Sequence, residues 1–222
     1  MTVFAIPRGV IAGSTLFLAT LVQAPAHADL QPQYLPSASQ VSYTLRDSSV
    51  WGKELFNYAP LGSKPRGCKS TTPFNSAEQS ISARYGPMEW LPSRMPSANV
   101  NIYEFLTSDD ATTAVTRAAS LADSCRQSTE WWCRQCDGVI TYWRRAVAPP
   151  MVGEQATSWV GRAAEISLSR YRTVVARKGS SVVAVTVWTS NSPGGRKLRY
   201  PRFNPPPGIT AQLAADVLAA VP

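Results

Sequence analysis

A single histidine, His27, occurs in 222 residues, and it lies in a segment that export would remove. Without an imidazole no Ser-His-Asp or Cys-His arrangement can be built, nor any site that needs a histidine base or ligand. The serine-nucleophile patterns G-x-S-x-G and S-x-x-K are absent. So are the P-loop and the Rossmann glycine fingerprint, which excludes nucleotide binding of those two kinds. No apolar run reaches the ~20 residues that a membrane-crossing helix requires. Acids are scarce, 14 against 22 Lys and Arg, and none falls within residues 166–215. Carboxylate-only hydrolysis stays chemically open through Glu54, Glu78, Glu89, Glu104, Glu130, Glu154 and Glu165. No spacing marks a working pair among them, and solvated or salt-bridged roles are the simpler expectation.

The N-terminus carries an address. Arg8 supplies a positive start, residues 9–22 an apolar stretch, and Ala26-His27-Ala28 a small-x-small cleavage site. Cleavage after Ala28 leaves residues 29–222, or 222 − 28 = 194 residues, suited to one domain. No cysteine lies near that site, so no lipid anchor is expected, and no transmembrane span remains after cleavage. The expectation is a secreted, extracellular protein. Losing Arg8 leaves 21 − 14 = +7, a moderate positive charge that aids solubility and favours anionic wall polymers, lipid headgroups or nucleic acid. Arginine outnumbers lysine 17 to 5, a bias that suits anionic groups and aromatic faces.

Residues 100–136 organise the chain. The run Val100-Asn101-Ile102-Tyr103-Glu104-Phe105-Leu106 reads as a strand. A helix follows, capped by Thr107 or Ser108, with Asp110 placed to meet free amides and the positive end of the dipole. Ala111, Ala114, Val115, Ala118, Leu121, Ala122 and Cys125 recur on one face of it.

Elsewhere strands predominate. A short helix is expected after Ser37, and Val41-Ser42-Tyr43-Thr44-Leu45 alternates like a strand. Trp51, Leu55, Phe56 and Tyr58 form an aromatic-rich group expected in the core, and residues 60–73 read as loop. Strands are expected at residues 81–85, 139–147 and 158–168, with Tyr142 and Trp143 on opposite faces. Residues 171–176 and 181–188 form a hairpin about Arg177-Lys178-Gly179-Ser180. Val182, Val183, Val185 and Val187 fill both faces of its second arm, so that arm should be buried on both sides. Thr210 is expected to cap a last helix whose inner face holds Leu213, Val217, Leu218 and Val221. The pattern predicts an α+β fold, a twisted antiparallel sheet with packed helices and two disulfides.

Four cysteines, Cys68, Cys125, Cys133 and Cys136, supply those disulfides, since an even count in an exported chain points to a covalent framework. Cys133-x-x-Cys136 resembles a redox motif, but Asp137-Gly138 and a strand follow it instead of a helix that would stabilise a thiolate. A four-thiolate zinc site conflicts with an oxidising compartment. No cofactor is expected. Pairing Cys68 with Cys125 closes a loop worth roughly 4 kcal/mol in the chain-entropy model. Pairing Cys68 with Cys136 and Cys125 with Cys133 scores within about 1 kcal/mol, so entropy leaves the connectivity open.

Three segments resemble the exported sensor domains of actinobacteria, the family that includes the PknH-like extracellular domain of receptor serine/threonine kinases and related lipoproteins. They are the strand and alanine-rich helix of residues 100–125, Val152-Gly153-Glu154-Gln155-Ala156, and the hairpin of residues 174–183 with its basic-Gly turn. The resemblance implies an antiparallel sheet with packed helices, a cleft and a ligand-sensing role. It also implies that Cys125 pairs with an upstream cysteine, here Cys68. Kinase, transmembrane helix and lipobox are missing, and the Cys133/Cys136 pair and the proline-rich segment depart from the pattern.

That segment, residues 190–209, contains Arg196-Lys197-Leu198-Arg199-Tyr200-Pro201-Arg202-Phe203. Bases interleaved with rings can hold phosphates while the rings stack, and so long a connection is either functional or only a solvated connector. Arg196, Lys197, Arg199 and Arg202 are the candidate anion-holding residues. The functional expectation is a secreted, non-catalytic domain that binds an extracellular ligand or envelope protein. Its rivals are a secreted carboxylate-dependent hydrolase and a basic module for anionic wall polymer or nucleic acid.

Overall fold

A computed structural model describes residues 29–47, 49–56, 73–88, 97–133, 138–164, 168–191 and 205–222. Helix formation at the centre of the chain follows its caps. Thr107 Oγ1 accepts from the Asp110 amide at 3.1 Å and donates to the Asp110 carboxylate at 2.6 Å, fastening the first turn of helix α2, Ser108–Ser124. Asp109 and Asp110 stand at the positive end of its dipole. Its inner face is almost all alanine (Ala111, Ala114, Ala118 and Ala122, with Val115 and Leu121), so the helix lies close to the sheet beneath.

Among the described residues that sheet has eight antiparallel strands in the order β1-β2-β3-β8-β7-β6-β5-β4. They are β1 Trp51–Phe56, β2 Gln79–Pro87, β3 Ser97–Glu104, β4 Gln127–Cys133, β5 Gly138–Val147, β6 Gln155–Ala164, β7 Leu168–Lys178 and β8 Ser181–Asn191. β3 ends in mid-sheet while β4 begins at the far edge. α2 carries the chain across β8, β7 and β6 to reach it. From β4 the chain returns strand by strand and closes the sheet by pairing β8 with β3.

Alternation along the strands then sorts two cores. One face packs Tyr103, Trp159, Tyr171, Val175, Val182 and Ala184 against α2, with Phe74 stacked on Tyr103 at 4.3 Å between ring centroids. The other packs Tyr85, Val100, Ile102, Val174, Val183, Val185 and Val187 against helices α1, Ala38–Thr44, and α3, Pro207–Ala220. β8 is therefore buried on both sides, as its valines foretold.

Several expectations change. Val41–Leu45 is not a strand: Val41 and Leu45 are four apart and both face inward from α1, which Ser37 and Gln40 open with a reciprocal capping box. The helix ends with Arg46 at φ 55, while the Asp47 amide donates to the Ser42 carbonyl. Thr210 does not cap α3, because Pro206 is the N-cap and Pro207 opens the helix, where a missing N–H costs nothing. Thr210 is buried inside it instead. The single strand expected at residues 158–168 is β6 from Gln155, with β7 starting at Leu168. Strands β1 and β4 lacked a readable period. Of the aromatic-rich group only Trp51 is seen in the core, Leu55 is exposed, and Tyr58 lies outside the described residues.

Candidate functional site

Two strand neighbours on β1 and β2 anchor one wall of a groove from beneath. Lys53 pairs with Tyr85 in the antiparallel register. Lys53 donates from Nζ to the carbonyls of Pro32 and Leu35 at 3.3 and 3.1 Å, and Tyr85 donates from its hydroxyl to the Pro36 carbonyl at 2.8 Å. Burial lowers the Lys53 pKa and pushes the Tyr85 hydroxyl up, so Tyr85 remains a donor at physiological pH. A short 3-10 turn, Pro32–Tyr34, is thereby pinned across the sheet with α1 behind it.

The opposite wall is α3. Between the two walls lies a cavity of about 1190 Å³, large enough for a ligand above the usual small-molecule size. Leu35, Leu213 and Val217 give it an apolar floor, and they are buried in the sheet core below. Tyr34, Gln40, Tyr43 and Gln212 line it with rings and amides, while Arg46, Asp47 and Asp216 add both signs of charge. Tyr43 is 86% exposed, so its ring is free to cover a ligand. Gln212 donates to Asp216 across one helical turn at 2.7 Å. Burial alone would raise the Asp47 carboxyl, but hydrogen bonds from the Ser49 hydroxyl and amide, together with Trp51, outweigh it and hold the pKa below the ordinary carboxylate value. Such a lining suits a neutral or zwitterionic polar ligand better than a strongly charged one.

Residues singled out from the sequence fare unequally. Cys125 ends α2, is 3% exposed and is engaged in a disulfide. Cys133 closes β4. Cys68 and Cys136 lie outside the described residues, as do Arg196, Lys197, Arg199 and Arg202. Sequence reasoning expected the short helix after Ser37 but missed the groove because it read Val41–Leu45, the rest of α1 and its C-cap, as a strand. The Ser37 cap with Val41 and Leu45 four apart was the available signal, and it would have turned Tyr43 outward.

The other sequence segments that stood out converge on a structural lock. Glu154 receives Arg177 Nη1 at 2.6 Å and the Gly179 amide at 3.2 Å. Glu104, buried, accepts from the hydroxyls of Ser180 and Ser181 at 2.6 Å each. Lys178 donates to the Val221 carbonyl at the end of α3 at 3.0 Å. The β7–β8 turn is held from three directions.

The chain is thus an α+β domain whose antiparallel sheet carries helices on both faces, with a groove between two of them. Its fold is similar to that of the extracellular domain of PknH from Mycobacterium tuberculosis, with a TM-score of 0.58 over 85% of this chain and 93% of that one at 13% identity. An Rv0999 ortholog from Mycobacterium smegmatis aligns over 83% of this chain and 94% of that one, with a TM-score of 0.39 and 11% identity. No protein-family model and no curated protein matches the sequence. Among the described residues no helix is long and apolar enough to cross a membrane.

Proposed function

We propose that this is an exported, non-catalytic sensor-like domain that takes a polar ligand or a partner's side chains in the groove between α1 and α3, at the cell envelope or outside the cell. The observation that carries the reading is the groove itself: a large, ring- and amide-lined space whose wall is fixed by Lys53 and Tyr85. Fold likeness to an extracellular domain supports the location, as does the signal-like start of the sequence. Asp29, which would become the new N-terminus, accepts from Gln79 at 3.0 Å, and the Leu30 amide donates to the same side chain at 2.8 Å. The mature chain would therefore begin already tied to β2.

Hydrolysis by carboxylates alone fits less well. A general acid must be protonated at working pH, and such sites push two carboxyl groups apart in pKa. Asp47 is held on the ionised side. Glu104 is bound by two serines and Glu154 by an arginine and a backbone amide. These carboxylates serve the fold.

Titration of the purified protein with soluble muropeptides and short envelope-derived peptides, followed by backbone NMR, tests the proposal. Saturable shifts confined to Tyr43, Gln212 and their neighbours are expected, with the ligand recovered intact. Shifts centred elsewhere, or steady appearance of cleaved product, would defeat it.

A further inference from the structure

On the sheet face that carries α1 and α3, strand pairing gathers arginines that are far apart in sequence. Arg145 stands opposite Val160 and Val160 opposite Arg172, while Trp143 stands opposite Arg162 and Arg162 opposite Arg170. Adjacent strands lie about 4.8 Å apart and alternate residues along a strand about 7 Å apart. The four backbone positions therefore fall in a patch roughly 10 Å across. The helices on this face pack over β1 and β2 (α1) and over β7 and β8 (α3). α2 lies on the other face. Among the described residues, no position of β5–β8 on the arginine face is Asp or Glu.

The patch is ordered as well as charged. The Arg162 guanidinium lies 4.7 Å from the Trp143 ring centroid, which orients the fork without neutralising it. Arg172 donates from Nε to the Pro205 carbonyl at 3.0 Å, fixing its stem. Arg145 and Arg162 are exposed.

We infer that this face binds a phosphodiester-linked polyol or sugar polymer laid across β5–β7. Guanidinium forks grip phosphate oxygens two at a time, and the exposed forks of Arg145 and Arg162, on neighbouring strands, can engage successive phosphates of one chain. A bilayer would need several apolar side chains to insert beside the charges, whereas of the large apolar side chains exposed among the described residues Val50, Leu55 and Met88 lie at the opposite, β1 edge of the sheet and Met151 alone stands in the β5–β6 loop. Single-stranded nucleic acid is held largely by stacking on open rings, and Arg162 covers the Trp143 ring. Location of the polymer in the envelope rests on the export reading, but affinity for it does not.

Purified protein is titrated with poly(glycerol phosphate), with a thymidine oligonucleotide and with phosphatidylglycerol vesicles at about 50 and 200 mM salt. The wild type should bind the glycerol phosphate polymer tightest and weaken as salt rises. Arg145→Gln with Arg162→Gln should lose at least about tenfold in affinity and flatten the salt dependence by about one unit of slope per arginine. Arg84→Gln with Arg117→Gln removes the same charge elsewhere and should stay within about twofold of the wild type. Should the first pair lower the melting temperature, Arg145→Lys with Arg162→Lys keeps the charge and loses only the fork, and should fall between wild type and the Gln pair. Absence of polymer binding at the lower salt, equal loss in both Gln pairs, no loss in the first pair, or tighter binding of oligonucleotide or vesicles would each overturn the inference.

Discussion

Glu154 and Arg177 meet at 2.6 Å, and the same Glu154 carboxylate also takes the Gly179 amide. One acid thus closes both the ion pair and the turn that joins β7 to β8. Arg177 Nη1 returns to the Gly179 carbonyl at 3.2 Å, and its Nε reaches Gln155 at the same distance. Two segments 23 residues apart are read by one guanidinium.

A double-mutant cycle with Glu154→Gln and Arg177→Gln measures the pair. The Glu154 side chain is 53% exposed, so solvent screens the charge and the coupling should be modest, about 0.5–1 kcal/mol, shrinking as salt is added. Denaturant unfolding reads it. A coupling that does not change with salt would show that packing rather than charge joins the two segments.

Gly153 should tolerate no side chain. Its φ is +64, and a Cβ would come 2.3 Å from the Arg177 carbonyl oxygen and 2.7 Å from Leu218. Gly153→Ala carries about 1–2 kcal/mol of left-handed strain before that clash is relieved. Loss of more than about 2 kcal/mol by denaturant unfolding is expected, because the blocking atoms include backbone. At Gly179, also at positive φ but with nothing within 4 Å, alanine should cost only the strain. Equal losses at the two sites would refute the clash.

The locking segments were legible in the sequence because they are local: a Gly-Glu-Gln run and a basic-Gly turn each fill a handful of positions. Thr107 and Asp110, or the valines of β8, were legible for the same reason. The groove was not, because α1 is two turns long and its Val41-x-x-x-Leu45 spacing is hidden in a pattern that also alternates by two. The arginine face was illegible in principle. Arg145, Arg162 and Arg172 become neighbours only through the register of β5, β6 and β7, whereas the basic run from Arg196 to Arg202 announced itself by proximity in the chain.

Asp47 gives the fold an acid-side dependence. Its folded pKa lies below the ordinary value, so the stability it supplies is complete above the unfolded value of about 3.9. It is lost as pH falls through the folded value. Asp47→Asn should therefore be less stable than wild type near pH 6 and approach it near pH 2. Parallel curves at every pH would mean that the Ser49 hydrogen bonds do not depend on the charge.

Cys125 should pair with Cys68, and β4 is the reason. Cys125 is in a disulfide, and a disulfide brings two Cα atoms within about 7 Å. Six residue steps along β4 carry the chain from Gln127 to Cys133, roughly 20 Å at strand rise. Cys125 lies only two residues before that start, so about 13 Å or more separates it from Cys133. Gly138 pairs with Cys133 at that same far end of the β4–β5 hairpin. Of the two pairings that loop entropy leaves open, the one that joins Cys125 to Cys133 is thereby excluded, so Cys125 is expected to pair with Cys68 and Cys133 with Cys136. Non-reducing peptide mapping should recover a Cys68–Cys125 peptide. Cys125→Ser should then cost about 2–5 kcal/mol, because its loop spans 125 − 68 + 1 = 58 residues. Cys133→Ser should cost less, since its loop spans 136 − 133 + 1 = 4. Recovery of a Cys125–Cys133 peptide from folded protein would mean that β4 does not run extended between them.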